Sequence, residues 1–370
     1  MSGKKFFTIT IITLSIYTFF RVGNVSAPVE ELDIPAIIGA DIEKNLNGNN
    51  KFKLYSSIYN YSNDKLSKNI ILEGTGNSIG ETRSKRQLEA PAKFFPGLEK
   101  VLVIGKSMGD HGIMDLINSL FATETVTDNT FCIVSASESI DILNFNIEGF
   151  SNPGDYLEGM IKSSTNYNFF SNNYRLIDIY VRLDAEGRNV VLPYIQIEDN
   201  KLKIAGMAVF KGDKVNNILN IDESRAMNLM RESNVMGNIN IKESPKESVD
   251  FVAKSKRKVK CSKSYDKYVF DISINLSGDV LGNTMYNNLS NSPEKIKALE
   301  KNISENIEKQ CINFIKKMQN EHKVDALDLG RVAAAKYGRG KGVDWNEEVS
   351  NSIINVNVKT HIEKFGRGEY

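Results

Sequence analysis

"EKVLVIGKSMGDHGIMDLINSLF", residues 99–121, joins two patterns that together decide the architecture. Lys100 to Gly105 reads as a strong short strand, with no polar residue from Val101 to Ile104. A helical pattern follows over "GIMDLINSLFA". Upstream, "LDIPAIIGADI" (32–42) reads as another buried strand, and "KFKLYSSIYNY" (51–61) alternates as a half-buried one. "NIILEGTGNSIGETRSKRQLEAPAKFF" (69–95) reads as strand, glycine turn and helix. Downstream come the strand "NTFCIVSAS" (129–137), the short helix "ESIDIL" (138–143), and a helix start at Asn152-Pro153, with Asn as cap and Pro at the first helical position. Alternation of strand and helix from 28 to about 200 predicts a layered α/β region.

The pattern changes after "RNVVLPYIQIEDNKLKIAGMAVFKGDK" (188–214), where "EDN" and "KGD" mark hairpin turns. A helix is expected over Asp222 to Glu232, then two long alternating strands around "KRKVKCSKSYDKYVFDISINLSGDVL" (256–281). Ser292 caps the strongest helix and Pro293 begins it. Ile296, Leu299, Ile303, Ile307, Cys311, Phe314 and Met318 form one apolar stripe at spacings of three and four, expected to pack on the neighbouring sheet. In the closing strand "IINVNVKTHI" (353–362), Ile354, Val356, Val358, Thr360 and Ile362 line one face. Residues 201–370 thus predict an α+β domain: an antiparallel sheet carrying one long helix. The fold class is mixed α/β and α+β.

The first 27 residues stand apart as a signal or anchor segment. Lys4 and Lys5 precede fifteen uncharged residues, Phe6 to Phe20, and Val25-Ser26-Ala27 resembles a cleavage site, although Pro28 is a poor neighbour for a peptidase. As a helix the run would be roughly 22 Å long, short of the ~30 Å hydrocarbon core. This layout points to export.

Among 370 residues, 47 basic and 46 acidic side chains nearly cancel, so global charge names no partner; no repeat is evident. Cys132, Cys261 and Cys311 are odd in number and far apart, which excludes a disulfide scaffold and suggests buried free thiols. "GTGNSIG" (74–80) lies where phosphate loops lie, but lacks both the G-x-G-x-x-G spacing and a following Lys-Ser/Thr pair. Asp110, His111 and Asp115 fall close together, yet the three histidines, His111, His322 and His361, belong to different elements. "KSKRKVKCSK" (254–263) has six basic residues and no aromatic, so it lacks a stacking platform for nucleic acid and reads as a solvated edge rather than a lipid or partner patch. No catalytic, cofactor-binding or metal-binding set emerges.

Several stretches, in order, resemble the Ger(x)C family, the C subunit of bacterial spore germinant receptors: "ELDIPAIIGADIE", "EGTGNSIGETR", "EKVLVIGKSMGDHGIMDLINSLF", "VSASESIDIL", "VVLPYIQI", and "WNEEVSNSIINVNVKTHIEKFG". The most specific is "KIAGMAVFKGDK", with Gly206, Ala208, Phe210 and Lys214. The resemblance runs from about 30 to 368. It implies several packed α/β subdomains and a non-enzymatic subunit without cofactor, working beside membrane-embedded A and B subunits at the outer face of the spore inner membrane. Such a receptor responds to small nutrients such as amino acids. The family's lipid-accepting Cys would fall near Val25 to Ala27, whereas the first cysteine here is Cys132. The expectation is therefore a retained Phe6–Phe20 anchor, or attachment through membrane partners alone. The other reading is an exported, membrane-anchored solute-binding or hydrolytic protein using Gly74–Gly80 with Asp110, His111 and Asp115.

Overall fold

The computed structural model describes residues 3–22, 32–44, 50–59, 70–123, 125–150 and 152–366. Helix α1 (Gly3–Val22) comes first. The Val25–Ala27 cleavage-like site, Pro28 and the ends of two quoted stretches, Tyr61 and Asn69, lie outside the described residues. Then follow β1 (Leu32–Asp33), β2 (Pro35–Glu43), β3 (Lys51–Ile58), β4 (Ile70–Gly76), α2 (Ile79–Glu89), β5 (Lys93–Phe94) and β6 (Val101–Ile104). Next are α3 (Lys106–His111), α4 (Met114–Phe121), β7 (Phe131–Ser135), α5 (Ser139–Leu143), α6 (Pro153–Ser164), α7 (Leu176–Asp184) and β8 (Val191–Glu198).

Strands β2, β6 and β7 are buried along nearly their whole length and pair in parallel, with β8 beyond them. Because they show apolar residues on both faces, helices must cover both. Ile38 and Leu54 meet Ile79 of α2 and Leu120 of α4 on one face. On the other, Gly39 lies under Ser139 and Leu143 of α5, and Gly154 of α6 packs on Ile37. One residue's shift along β2 thus changes the covering helix, as the period of two demands.

The sheet does not stop near residue 200. β9 (Lys201–Lys211) and β10 (Lys214–Asn220) continue it antiparallel from β8, giving the eight-stranded order β10-β9-β8-β7-β6-β2-β3-β4. The division at 200/201 therefore falls in the hairpin between β8 and β9 of one sheet. Asp199 and Asn200 adopt positive φ there, which short Asx side chains tolerate.

Helix α8 (Ile221–Arg231) leads into the second sheet. Its capping box closes both ways: Glu223 N–H donates to Asn220 Oδ1 and Asn220 N–H to Glu223 Oε2. β11 (Met236–Ser244), β12 (Glu247–Ser264) and β13 (Lys267–Asn283) form antiparallel hairpins. α9 (Pro293–Lys317), α10 (Leu329–Tyr337) and α11 (Trp345–Ser350) then carry the chain back to β14 (Ile353–Phe365). β14 pairs with β13 in parallel, which corrects the expectation of a wholly antiparallel sheet. A parallel neighbour requires a long crossover, and the three helices between 293 and 350 supply it.

Both outer edges of this sheet are occupied. Beside β14, the N–H groups of Val358 and Ile362 donate to Glu308 Oε2 and Glu300 Oε1 of α9, at 3.3 and 2.9 Å. Beside β11, Phe169 N–H donates to Met236 O and Asn238 N–H to Tyr167 O, so the segment between α6 and α7 extends the sheet. Edge groups left free would template aggregation. On α9, Leu299, Ile303, Ile307, Cys311 and Phe314, and Met318 just after it, are buried as the stripe predicts, with Ile296 half-buried at its start.

Candidate functional site

The motifs singled out in the sequence have structural explanations. Gly74 and Gly76 let α2 sit against β4: a Cβ on Gly74 would lie 2.0 Å from Thr82 O, and one on Gly76 2.7 Å from Glu81 Cβ. Ser78 caps α2 by accepting from Glu81 N–H, and Glu81 Oε2 accepts from Asn77 N–H. The turn is a packed helix start.

Asp110 and Asp115 are exposed, and the half-buried His111 ring stands edge-on to Phe52. Among the described residues, no group of three His, Cys, Asp or Glu could hold a metal ion. The motif is organised instead by Asp213 of the "KGD" turn, whose carbonyl accepts from Ile113 N–H at 2.9 Å. Gly112, at φ +125°, ends α3 so that α4 can begin. In the basic stretch, Lys254, Lys256, Lys258, Lys260 and Lys263 are exposed while Arg257 turns inward. Cys132, Cys261 and Cys311 are buried free thiols, and burial pushes Cys311 up to about 12, leaving little reactive thiolate.

Two polar clusters escaped the sequence reading. The first lies at the carboxyl ends of the parallel strands, where α/β sheets commonly place sites. Asp41, at the end of β2, accepts from Ser139 N–H (2.8 Å) and Ser139 Oγ–H (2.9 Å). Glu138 is alongside and accepts from Ser107 Oγ–H at 2.5 Å. Burial, aided by Glu138, pushes the Asp41 carboxyl up to about 7 against the bonds from Ser139.

The second cluster joins the two sheets. Asp328, just before α10, lies 2.7 Å from Arg182 Nη1 of α7 and 3.1 Å from Arg231 Nη1 at the end of α8. Glu232 lies 3.4 Å from Arg231 Nε and 3.8 Å from Arg182 Nη2. Arg231 also donates to Ala326 O (2.7 Å) and Asn189 O (2.9 Å), and Arg257 of β12 donates to Leu327 O (3.0 Å). Burial opposes the Asp328 charge, but Arg231 and Arg182 outweigh it and hold this carboxyl below its ordinary range. Next to it, buried Asp325 accepts from Leu327 and Gly330 N–H, and desolvation pushes it up to about 6. The arrangement stores charge and holds elements together. It presents no nucleophile paired with a base, the minimum for covalent catalysis.

Residues 26–197 match the family described as the spore germination protein N-terminal domain, and residues 205–366 match the family described as spore germination B3/GerAC like, C-terminal. The chain belongs to the Ger(x)C family. Its members are germinant-receptor C subunits, and membership supports a role in spore germination. The chain is 19% identical over 342 residues to the spore germination protein GerQC of Bacillus cereus, covering 91% of this chain and 93% of that one. It is also similar to the crystal structure of the GerBC protein, with a TM-score of 0.55 at 17% identity over 88% of this chain and 97% of that one. That structural likeness shows a shared mixed α/β and α+β fold. The Ger(x)C relatives are receptor subunits rather than known enzymes, and the family implies work within a receptor complex.

Proposed function

We propose that this chain is a non-enzymatic C subunit of a spore nutrient-germinant receptor, acting through protein contacts. The observation that carries this reading is the pair of family matches, which cover both halves in order. Its partners are the membrane-embedded A and B subunits, and its place is the outer face of the spore inner membrane, where docking or movement of the chain relays nutrient occupancy to trigger germination. Residues 28–200 and 201–370 serve as the two working halves. No residue takes a catalytic, cofactor or metal role. A continuous apolar core through both sheets supports a rigid relay, because closely packed interiors transmit displacement.

Attachment rests on α1 or on the partners. Phe6, Phe7, Ile9, Ile11, Ile12, Leu14 and Ile16 of α1 are exposed, which suits contact with lipid or a partner. Among the described residues, no helix is long and apolar enough to cross a membrane. A retained α1 would therefore lie in the interface or depend on the A and B subunits for firm hold.

Deleting the gene is expected to abolish nutrient-triggered germination, and restoring the full chain to recover it. Normal nutrient germination without the chain would overturn the proposal. The first residue of the protein extracted from spores decides the anchor: a chain beginning at Pro28 contradicts a retained α1.

A further inference from the structure

The joint between the sheets holds more positive charge than it uses. Arg182, Arg231 and Arg257 line a cleft of about 270 Å³, and Arg188 and Arg331 line it as well. Its lining carboxylates are Asp178, Glu232 and Asp328, with buried Asp325 behind Asp328 also acting on Arg231 and Arg257, so five guanidiniums meet four carboxylates in a chain whose overall charge is only +1. The carboxylates are ion-paired or hydrogen-bonded, although Asp328 Oδ1 accepts no hydrogen bond. Asp328 and Glu232 are each shared by Arg182 and Arg231, and Asp178 accepts from Arg175 N–H. Among the described residues, Arg188 and Arg331 make neither an ion pair nor a side-chain hydrogen bond. The buried Nε–H of Arg257 finds no protein acceptor.

A structural network would be expected to match its charges. Here burial and the neighbouring Arg331 outweigh the pull of Asp328 on the half-buried Arg188 cation, and Arg331 itself is exposed. Planar guanidiniums with free N–H groups suit the paired oxygens of a carboxylate or phosphate. A cleft of about 270 Å³ is of a size for a small molecule.

We propose that this cleft binds a small soluble molecule through a carboxylate or phosphate group, with Arg188 and Arg331 supplying the contacts the protein leaves unmade. The bound molecule is not turned over. Arg182 and Arg188 belong to the first half, whereas Arg257 and Arg331 belong to the second, so a ligand held between them braces the joint. Binding to the folded state alone would stabilise the whole chain by mass action. The inference stands on the cleft and does not require the receptor role.

The test is calorimetric titration of the full chain in detergent with inorganic phosphate and with malonate, ionic strength being held constant with chloride. The expected result is saturable one-to-one binding of at least one probe, a raised melting temperature, and at least a tenfold loss of affinity in the Arg188→Ala/Arg331→Ala variant. Without probe, that variant should melt close to wild type, because neither side chain makes an ion pair or hydrogen bond and only the longer-range pull between Arg188 and Asp328 is lost. Absence of saturable binding, or equal binding by wild type and variant, would overturn the proposal. So would binding to phosphatidic acid vesicles, lost in the variant, without binding to either soluble probe, because the site would then belong to a lipid headgroup.

Discussion

Asp41 at the end of the first sheet and Asp328 at the joint are both buried aspartates beside other ionisable groups, yet their surroundings move them in opposite directions. Asp41 has Glu138 for a neighbour and two donors from Ser139, and its carboxyl rises to about 7. Asp328 has Arg231 and Arg182, and its carboxyl falls below the ordinary range. The difference teaches what each region does with a buried charge. Asp41 is buried with no cation among the groups that act on it, so desolvation dominates. At the joint, arginines drawn from both halves make the carboxylate the centre that ties them together.

Removing that centre should have the largest effect. Asp328→Ala removes the nearer of the two carboxylates shared by the buried Arg182 and Arg231, leaving only Glu232, and a loss of about 3–5 kcal/mol in stability by denaturant titration is expected. A loss under ~1 kcal/mol would show that water reaches the joint and that the contrast with Asp41 is weaker than drawn.

Packing where the segment between α6 and α7 meets β11 comes next. A Cβ on Gly237 would lie 2.3 Å from Phe169 Cδ2, so Gly237→Ala must displace the segment that extends the edge of β11. The expected loss is about 1–3 kcal/mol, with faster hydrogen exchange at Phe169 and Asn238, whose N–H groups make the crossing bonds. Unchanged exchange would mean that the two halves meet elsewhere.

The Asp41 side of the comparison is tested by pH. Its folded carboxyl is raised, so between about pH 4 and 7 the folded protein binds more protons than the unfolded one, and stability falls as pH rises through that window. Asp41→Asn keeps an acceptor for Ser139 N–H and removes the charge. It should be more stable than wild type by ~1–2 kcal/mol at pH 8 and equal to it near pH 4. Asp328 acts with the opposite sign: its contribution is present above the ordinary carboxylate range and lost on acidification below it. A variant with a flat offset from wild type at all pH values would remove Asp41 as the titrating group.

The smallest effect concerns the β14 edge. Glu308→Ala frees the Val358 N–H, and a loss of about 0.5–1.5 kcal/mol is expected. The more telling readout is faster exchange at Val358 with no change at Asn357, because only the former donates to α9.

Elements with a strong local period were legible in the sequence. The apolar run at 101–104, the Ser292-Pro293 start of α9 and its stripe, and the alternation of β14 all follow from side-chain spacing within one segment. The direction of β14 was not legible, because its parallel pairing depends on a crossover rather than on its own residues. Nor was the extent of the first sheet, since β9 and β10 alternate like strands of either half. The joint is the extreme case. Arg182 and Asp328 are 146 residues apart, and Arg257 sits in a lysine-rich run where it looks like one more solvated charge. A neutral-looking chain can therefore concentrate five arginines in one place without a local signal.

The central claim, that this chain works by contact within a germinant receptor, is tested most directly by purifying it, tagged at its C-terminus, from detergent-solubilised spore membranes. The account predicts that the two membrane-embedded subunits elute with it in a single peak. Elution of the chain alone, with both membrane subunits intact in the unbound fraction, would contradict it.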